Sequence, residues 1–305
     1  MTVRENTIKK ADVVSALDKE FIANFRGEFD RFAEILGLFP VEVVPAGTAL
    51  YKYNISGSLL NTTTTDGSSG SAYIEGDFIA RSKYAVTKSS VGSMEFKPYA
   101  KQTTAQAILK GGFENAVLRT DRKMIQQLRA AILSDFFTFM SANGTGSASG
   151  VGLQAALANA DAVLGDTMET NGDEPGRVVH FVNRQDAAEY LGKAEITTQT
   201  AFGLTYLENF LGVEDVILTN KVSEGSFIVT PVENIHIYGL DFGALGDAGL
   251  AYESEDLGLV GVHHAADYDY ASAETYAVRG AVFLPEITNY IVKATINEEG
   301  TTTTA

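Results

Sequence analysis

His263 and His264 stand side by side, with Asp267 and Asp269 just beyond them. Imidazole and carboxylate in such a cluster are the donor set of a metal ion, or the groups of acid–base chemistry. The stretch around them, "LGLVGVHHAADYDYASAETYAV", is strand-like, and adjacent residues of a strand point to opposite faces. Both rings would not easily reach one ion, so the expected role is an ordinary buried or interface one. Glu253 and Glu255 could share one strand face, but a same-face pair carries little weight among 39 acids. "YLGKAE", residues 190–195, has the Gly-Lys of a phosphate loop without its earlier glycine or its following Ser/Thr. "GTGSASG", residues 144–150, precedes a helix but lacks the strand that a dinucleotide site needs, so it reads as a turn. There is no Gly-x-Ser-x-Gly elbow, and the absence of cysteine excludes a disulfide framework and a Cys-ligated zinc. The expectation is a protein with no catalytic, cofactor-binding or metal-binding residues.

Charge narrows the partners. With 23 basic against 39 acidic residues the net charge is −16, unsuited to tight contact with phosphates or anionic membrane surfaces. No apolar run approaches the roughly 20 residues of a membrane span, and "MTVRENTIKKADVV" carries no apolar signal. Charge is also uneven. Arg81–Arg129 holds ten Lys/Arg and three Asp/Glu, while Val222–Val278 holds ten Asp/Glu and no Lys or Arg. These stretches are either solvated or paired faces of one chain, or complementary surfaces for a head-to-tail contact between copies.

Several elements must carry this pattern. Residues 11–38 read as an amphipathic helix whose stripe includes Phe21, Phe25, Phe29 and Phe32, stopped by Gly37 and Pro40. That stripe packs on its own domain or docks on another subunit. Tyr51, Tyr53 and Ile55 share one side of a strand pattern, and "DFIARSKYAVTKSSVGSMEF" is a second strand region. Between them lies "SGSLLNTTTTDGSSGS", residues 56–71. Only a helix and a strand precede it, so it reads as the tip of a long hairpin rather than a domain linker. Such a hairpin is marginal alone in water and needs cover from outside. A helix over 120–142 follows, about 34 Å long at ~1.5 Å per residue. Ile125, Leu128, Ile132, Phe136 and Phe139 mark its face, Thr120 its expected N-cap, and Asn143-Gly144 its stop. A second helix, a strand–turn–helix at "RVVHFVNRQDAAEYLG" and mostly strands complete an α+β pattern.

The run from "KPYAKQTTAQAILKGGFENAVLRTDRKMIQQLRAAILSDFFTFMSANGTGSASGVGLQAAL" through "VVHFVNRQDAAEYLG", "FLGVEDVILTNKV", "TPVENIHIYGLDF" and "AYESEDLGLVGVHH" resembles the major capsid proteins of tailed bacteriophages. The long helix ending in Asn143-Gly144-Thr145-Gly146, with Gly152-Leu153 after it, is the most diagnostic feature. The resemblance implies the fold shared with encapsulins and the herpesvirus capsid floor. It implies an N-terminal arm (1–47), an extended hairpin loop (48–102), a peripheral domain with the spine helix (103–150 and 256–305) and an axial domain (151–255). It further implies hexamers and pentamers closing an icosahedral capsid around double-stranded DNA in the virion, assembled in the host bacterial cytoplasm. Portal and scaffold or decoration proteins are its implied partners. Subunit-interface candidates are Phe21, Phe25, Phe29, Phe32, Tyr51, Tyr53, Leu59, Leu60, Arg81, Lys83 and Lys88. An encapsulin-type nanocompartment shell is the nearest alternative, and a metal-dependent enzyme using His263 and His264 is a weaker one.

Overall fold

The computed structural model describes residues 17–24, 35–57, 59, 81–174, 176–194, 199–201, 204–210 and 213–298. After a helical segment at 17–24 come β1 (Val41–Val44), β2 (Ala49–Gly57), β3 (Tyr84–Ser93), β4 (Lys97–Thr104) and α1 (Ala105–Gly111). A π-helical turn, Glu114–Leu118, leads into α2 (Arg119–Asn143). Then follow β5 (Gly146–Val151), α3 (Gly152–Asn171), β6 (Val178–Asn183), α4 (Arg184–Ala194), β7 (Gln199–Ala201), β8 (Leu204–Phe210), β9 (Val213–Thr219) and β10 (Ser226–Pro231). The remainder is β11 (Ile235–Leu240), α5 (Phe242–Asp247), β12 (Glu253–Ser254), β13 (Val260–Asp267), β14 (Ser272–Arg279), β15 (Ala281–Pro285) and β16 (Val292–Asn297).

A seven-stranded mixed sheet, ordered β5-β16-β10-β6-β9-β8-β7, lies between two apolar layers. Alternation of side chains along each strand divides it. Phe227 and Val229 of β10 meet α3, whereas Ile228 between them joins the core around α2. α3 presents Ala156, Leu157, Ala160 and Leu164 to the sheet, a helical period of three and four. On the other side Phe136 of α2 is fully buried, 5.5 Å from Phe39, 6.0 Å from Phe181 and 5.3 Å from Phe283 between ring centroids. Each ring pair adds about 0.5–1.5 kcal/mol to the burial of its area.

The spine helix extends one residue beyond expectation at each end, and its start differs in kind. Thr120 does not cap it. Its hydroxyl donates to the carbonyls of Ala116 and Val117, both at 2.8 Å, because the helical run is already under way from residue 114. At the other end Gly144 has φ −68°, so it is not there for a left-handed cap. Its reason is space: a Cβ would lie 2.9 Å from Cγ2 of Ile291.

"GTGSASG" is a second correction. It is a strand, β5, paired in parallel with β16, not a turn. Small residues hide strand alternation but permit close approach. A Cβ on Gly150 would come 2.3 Å from the backbone N of Ala156, and one on Gly146 would come 2.8 Å from the carbonyl of Asn289.

Strand pairing also redraws the expected domain limits. The chain divides into two compact units, with Gly47–Ser93 as one of them. That unit is shorter than the 48–102 expected for the extended loop, and β4 joins the sheet β12-β13-β14-β4. β1, expected in the arm, pairs in parallel with β11, and β16 shares its sheet with strands of the expected axial domain.

Candidate assembly surface

β2 and β3 form an antiparallel pair running from Ala49 opposite Ser93 to Gly57 opposite Tyr84. Residues directly opposite share a face. One face carries Tyr51, Tyr53 and Ile55 against Ser90, Lys88 and Val86, with Tyr84 beyond. The other carries Lys52, Asn54 and Ser56 against Ser89, Thr87 and Ala85. Hydroxyls tie that second face: Thr87 Oγ1 donates to the Asn54 carbonyl at 3.2 Å and Ser89 Oγ to that of Lys52 at 3.3 Å. The first face is apolar and in water. Ile55 is 71% exposed, Val86 62% and Tyr53 60%. Among the described residues neither strand has a second partner.

Lys88 extends over the rings, its Nζ 3.5 Å from the Tyr51 centroid and 5.7 Å from that of Tyr53. A cation so placed gains about 0.5–1 kcal/mol at an exposed site. Near its base the ladder steps from Leu50–Gly92 to Tyr51–Ser90, leaving Val91 without a partner. This bulge uses Gly92 at φ +143°, and bulges sharpen the local twist.

Of the predicted interface residues, Tyr51, Tyr53 and Lys88 come together on one hairpin face. Arg81 and Lys83 are exposed just before β3, and Leu59 is 82% exposed beyond β2. Leu60, Phe25, Phe29 and Phe32 lie outside the described residues. Phe21 is a correction. It is buried in the chain's own core, 6.0 Å edge-on to the His264 ring, so it is not free for another subunit. A helical stripe has the same period whichever body covers it. Ile55, Val86 and Tyr84 were missing from the candidates, although Ile55 continued the alternation of Tyr51 and Tyr53.

A second feature was legible only in part: a buried or interface role for His264 on a strand was expected, but its partners were not. His264 is buried and does not meet Asp267 or Asp269. Asp267 instead accepts the backbone N–H of Asp269 at 2.8 Å, holding its own turn. The ring of His264 bridges two carboxylates from elsewhere. Nδ1 lies 2.5 Å from Oδ1 of Asp18 and Nε2 lies 3.4 Å from Oδ2 of Asp121, while the His264 backbone N–H also donates to Asp18, at 2.8 Å. Asp121 in turn takes hydrogen bonds from Lys101 and from Thr275 Oγ1. Burial alone would push His264 down, but its bonds to Asp121 and Asp18 raise it to about 9. Burial likewise favours a neutral Asp121, yet His264 and Lys101 hold it below the usual carboxylate value. His263, on the opposite strand face as expected, is half exposed and 3.8 Å from Oδ2 of Asp18. Among the described residues no group of three or more His, Asp or Glu is arranged to hold a metal ion.

Beside this network, a groove of about 670 Å³ runs between β4 and α2. Tyr99, Met124, Leu128 and Ala131 contribute apolar surface, and Arg119 and Lys123 contribute charge.

No protein-family model and no curated protein matches the sequence. Solved structures do match it. The virus-like particle from Pyrococcus furiosus aligns over 90% of this chain and 98% of its own, at TM-score 0.54 and 10% identity. The capsid of the cyanophage P-SCSP1u aligns over 86% and 87%, at 0.55 and 7%. The chain has the tailed-phage capsid and encapsulin fold. The holo-SrpI encapsulin complex from Synechococcus elongatus PCC 7942 fits as closely, over 87% and 86%, at 0.54 and 10%. None of this chain's described helices is long and apolar enough to cross a membrane.

Proposed function

We propose that this protein is the major capsid protein of a tailed phage. Its copies assemble as hexamers and pentamers and close an icosahedral shell around double-stranded DNA. The observation that carries the reading is the hairpin. A strand pair with an apolar face in water and, among the described residues, no other strand beside it is marginal by itself, and a neighbouring copy is the shelter we assign to it. The apolar, basic-edged groove beside α2 has the chemistry to receive that face from a neighbouring copy.

The role is structural rather than catalytic. Each subunit touches several others, so weak contacts are multiplied, and obligate interfaces of this kind commonly bury about 2,000–5,000 Å². A net charge of −16 suits a wall along which phosphates must slide without binding. Portal and scaffold or decoration proteins would complete the particle, whose place is the virion after assembly in the host bacterial cytoplasm. An encapsulin shell is the second reading, favoured by the equal likeness to the SrpI complex. The contents decide between the two: particles recovered with double-stranded DNA support the capsid, and particles recovered around an enzyme support the encapsulin.

Negative-stain electron microscopy of the expressed protein tests the shell. Closed particles are expected. Replacing Tyr53, Ile55 and Val86 together by Ser should leave a folded subunit that no longer closes shells. A wild-type chain that stays a single subunit at high concentration would overturn the proposal.

A further inference from the structure

The charge network around His264 joins parts of the chain that are far apart in sequence. Asp18 comes from the helical segment 17–24, His264 from β13, Asp121 from α2 and Lys101 from β4. We propose that the Asp18–His264 contact is a proton-operated latch that moors segment 17–24 to the spine helix and its sheet.

The geometry carries this. A neutral imidazole has one N–H and can serve one carboxylate; only the imidazolium donates from both nitrogens. Here both nitrogens face carboxylates, and Asp18, His264 and Asp121 are all under 10% exposed. Losing the proton therefore leaves one buried carboxylate facing a ring lone pair, a costly arrangement. The groups facing the ring are Asp18 from the segment, Asp121 from α2 with Lys101 behind it, and His263 beside it on β13. β14 contributes Thr275, which does not titrate in this range. Among the described residues the segment is also held by the His264 backbone N–H, which donates to Asp18 at 2.8 Å, and by the Arg129 guanidinium, which donates to the Asn24 carbonyl at 2.9 Å; loss of the ring proton removes neither donor.

The direction follows from linkage. Freed of its partners, His264 would titrate near 6.5; in the closed form it is raised to about 9. The closed-form value is the higher, so the latch is at full strength below pH 6.5 and is lost as pH rises through 9.

Hydrogen exchange of the full chain, corrected for intrinsic rates, reads the latch directly. Between pH 7 and 10 the protection of residues 17–24 should fall by more than about tenfold while the centre of α2 keeps its protection. His264→Gln should make the low protection of 17–24 independent of pH. Should that variant not fold, Asp18→Asn leaves β13 and α2 intact and should give the same loss at pH 7. Flat protection of 17–24 in the wild type overturns the proposal. So does a loss shared equally by α2, since that reports global unfolding. Neither outcome depends on whether shells form, so a failure here is distinct from a failure of the capsid reading.

Discussion

Phe136 and Ile55 are both large apolar side chains, one with no exposed surface and the other 71% exposed. They mark two regions built on opposite terms. Around Phe136, rings from α2, β6, β15 and the turn before β1 fill one another's gaps, and the chain supplies every contact. Around Ile55 the described residues supply one opposite strand. A stretch of sequence can therefore be apolar and correctly paired yet contribute little to the stability of its own subunit. Its burial energy becomes available only when something else covers that face.

Substitutions separate the two regions, and their effects on the isolated subunit should fall in order. Phe136→Ala opens a cavity in the closed core and should cost about 3–5 kcal/mol in urea unfolding. Gly150→Ala forces a Cβ into the backbone of α3, where nothing flexible can yield, and should cost about 1–3 kcal/mol by the same measurement. Lys97→Ala removes a 3.4 Å ion pair with Asp135 between two well-exposed groups and should change stability by at most about 1 kcal/mol. Ile55→Ser with Val86→Ser should shift it by no more than about 0.5 kcal/mol, yet abolish shell closure in sedimentation. A large loss of subunit stability from the last pair would mean that the hairpin is sheltered at home, and the contrast would fail.

How much of this was legible in the sequence depended on range. The face of α2 read correctly at Ile125, Leu128, Ile132 and Phe136, since local period determines it. The helix buries Phe137 and Met140 more deeply than Phe139, because the surrounding layers cover more than one stripe. The order β6 then α4 was readable from an apolar run ending in Asn183, whose Oδ1 accepts the N–H of Gln185 at 2.8 Å at the turn. β5 was not readable, since Gly, Ser and Ala show no alternation. The hairpin face was half readable: alternation placed Tyr51 and Tyr53 together, but the register that adds Val86 and Tyr84 depends on a bulge. His264 was placed on the right strand in a buried or interface role, but with no companions assigned. Its partners lie 246 and 143 residues away, and only the folded chain brings them near.

The pairing of β5 with β16 has a consequence for synthesis. β16 lies between β5 and β10, and residues 292–297 are translated long after both. A nascent chain on the ribosome holds that sheet in two unjoined pieces until those residues emerge. Closure of the seven-stranded sheet thus waits for translation to reach them, and the apolar layers on its two faces are completed only by the last strand.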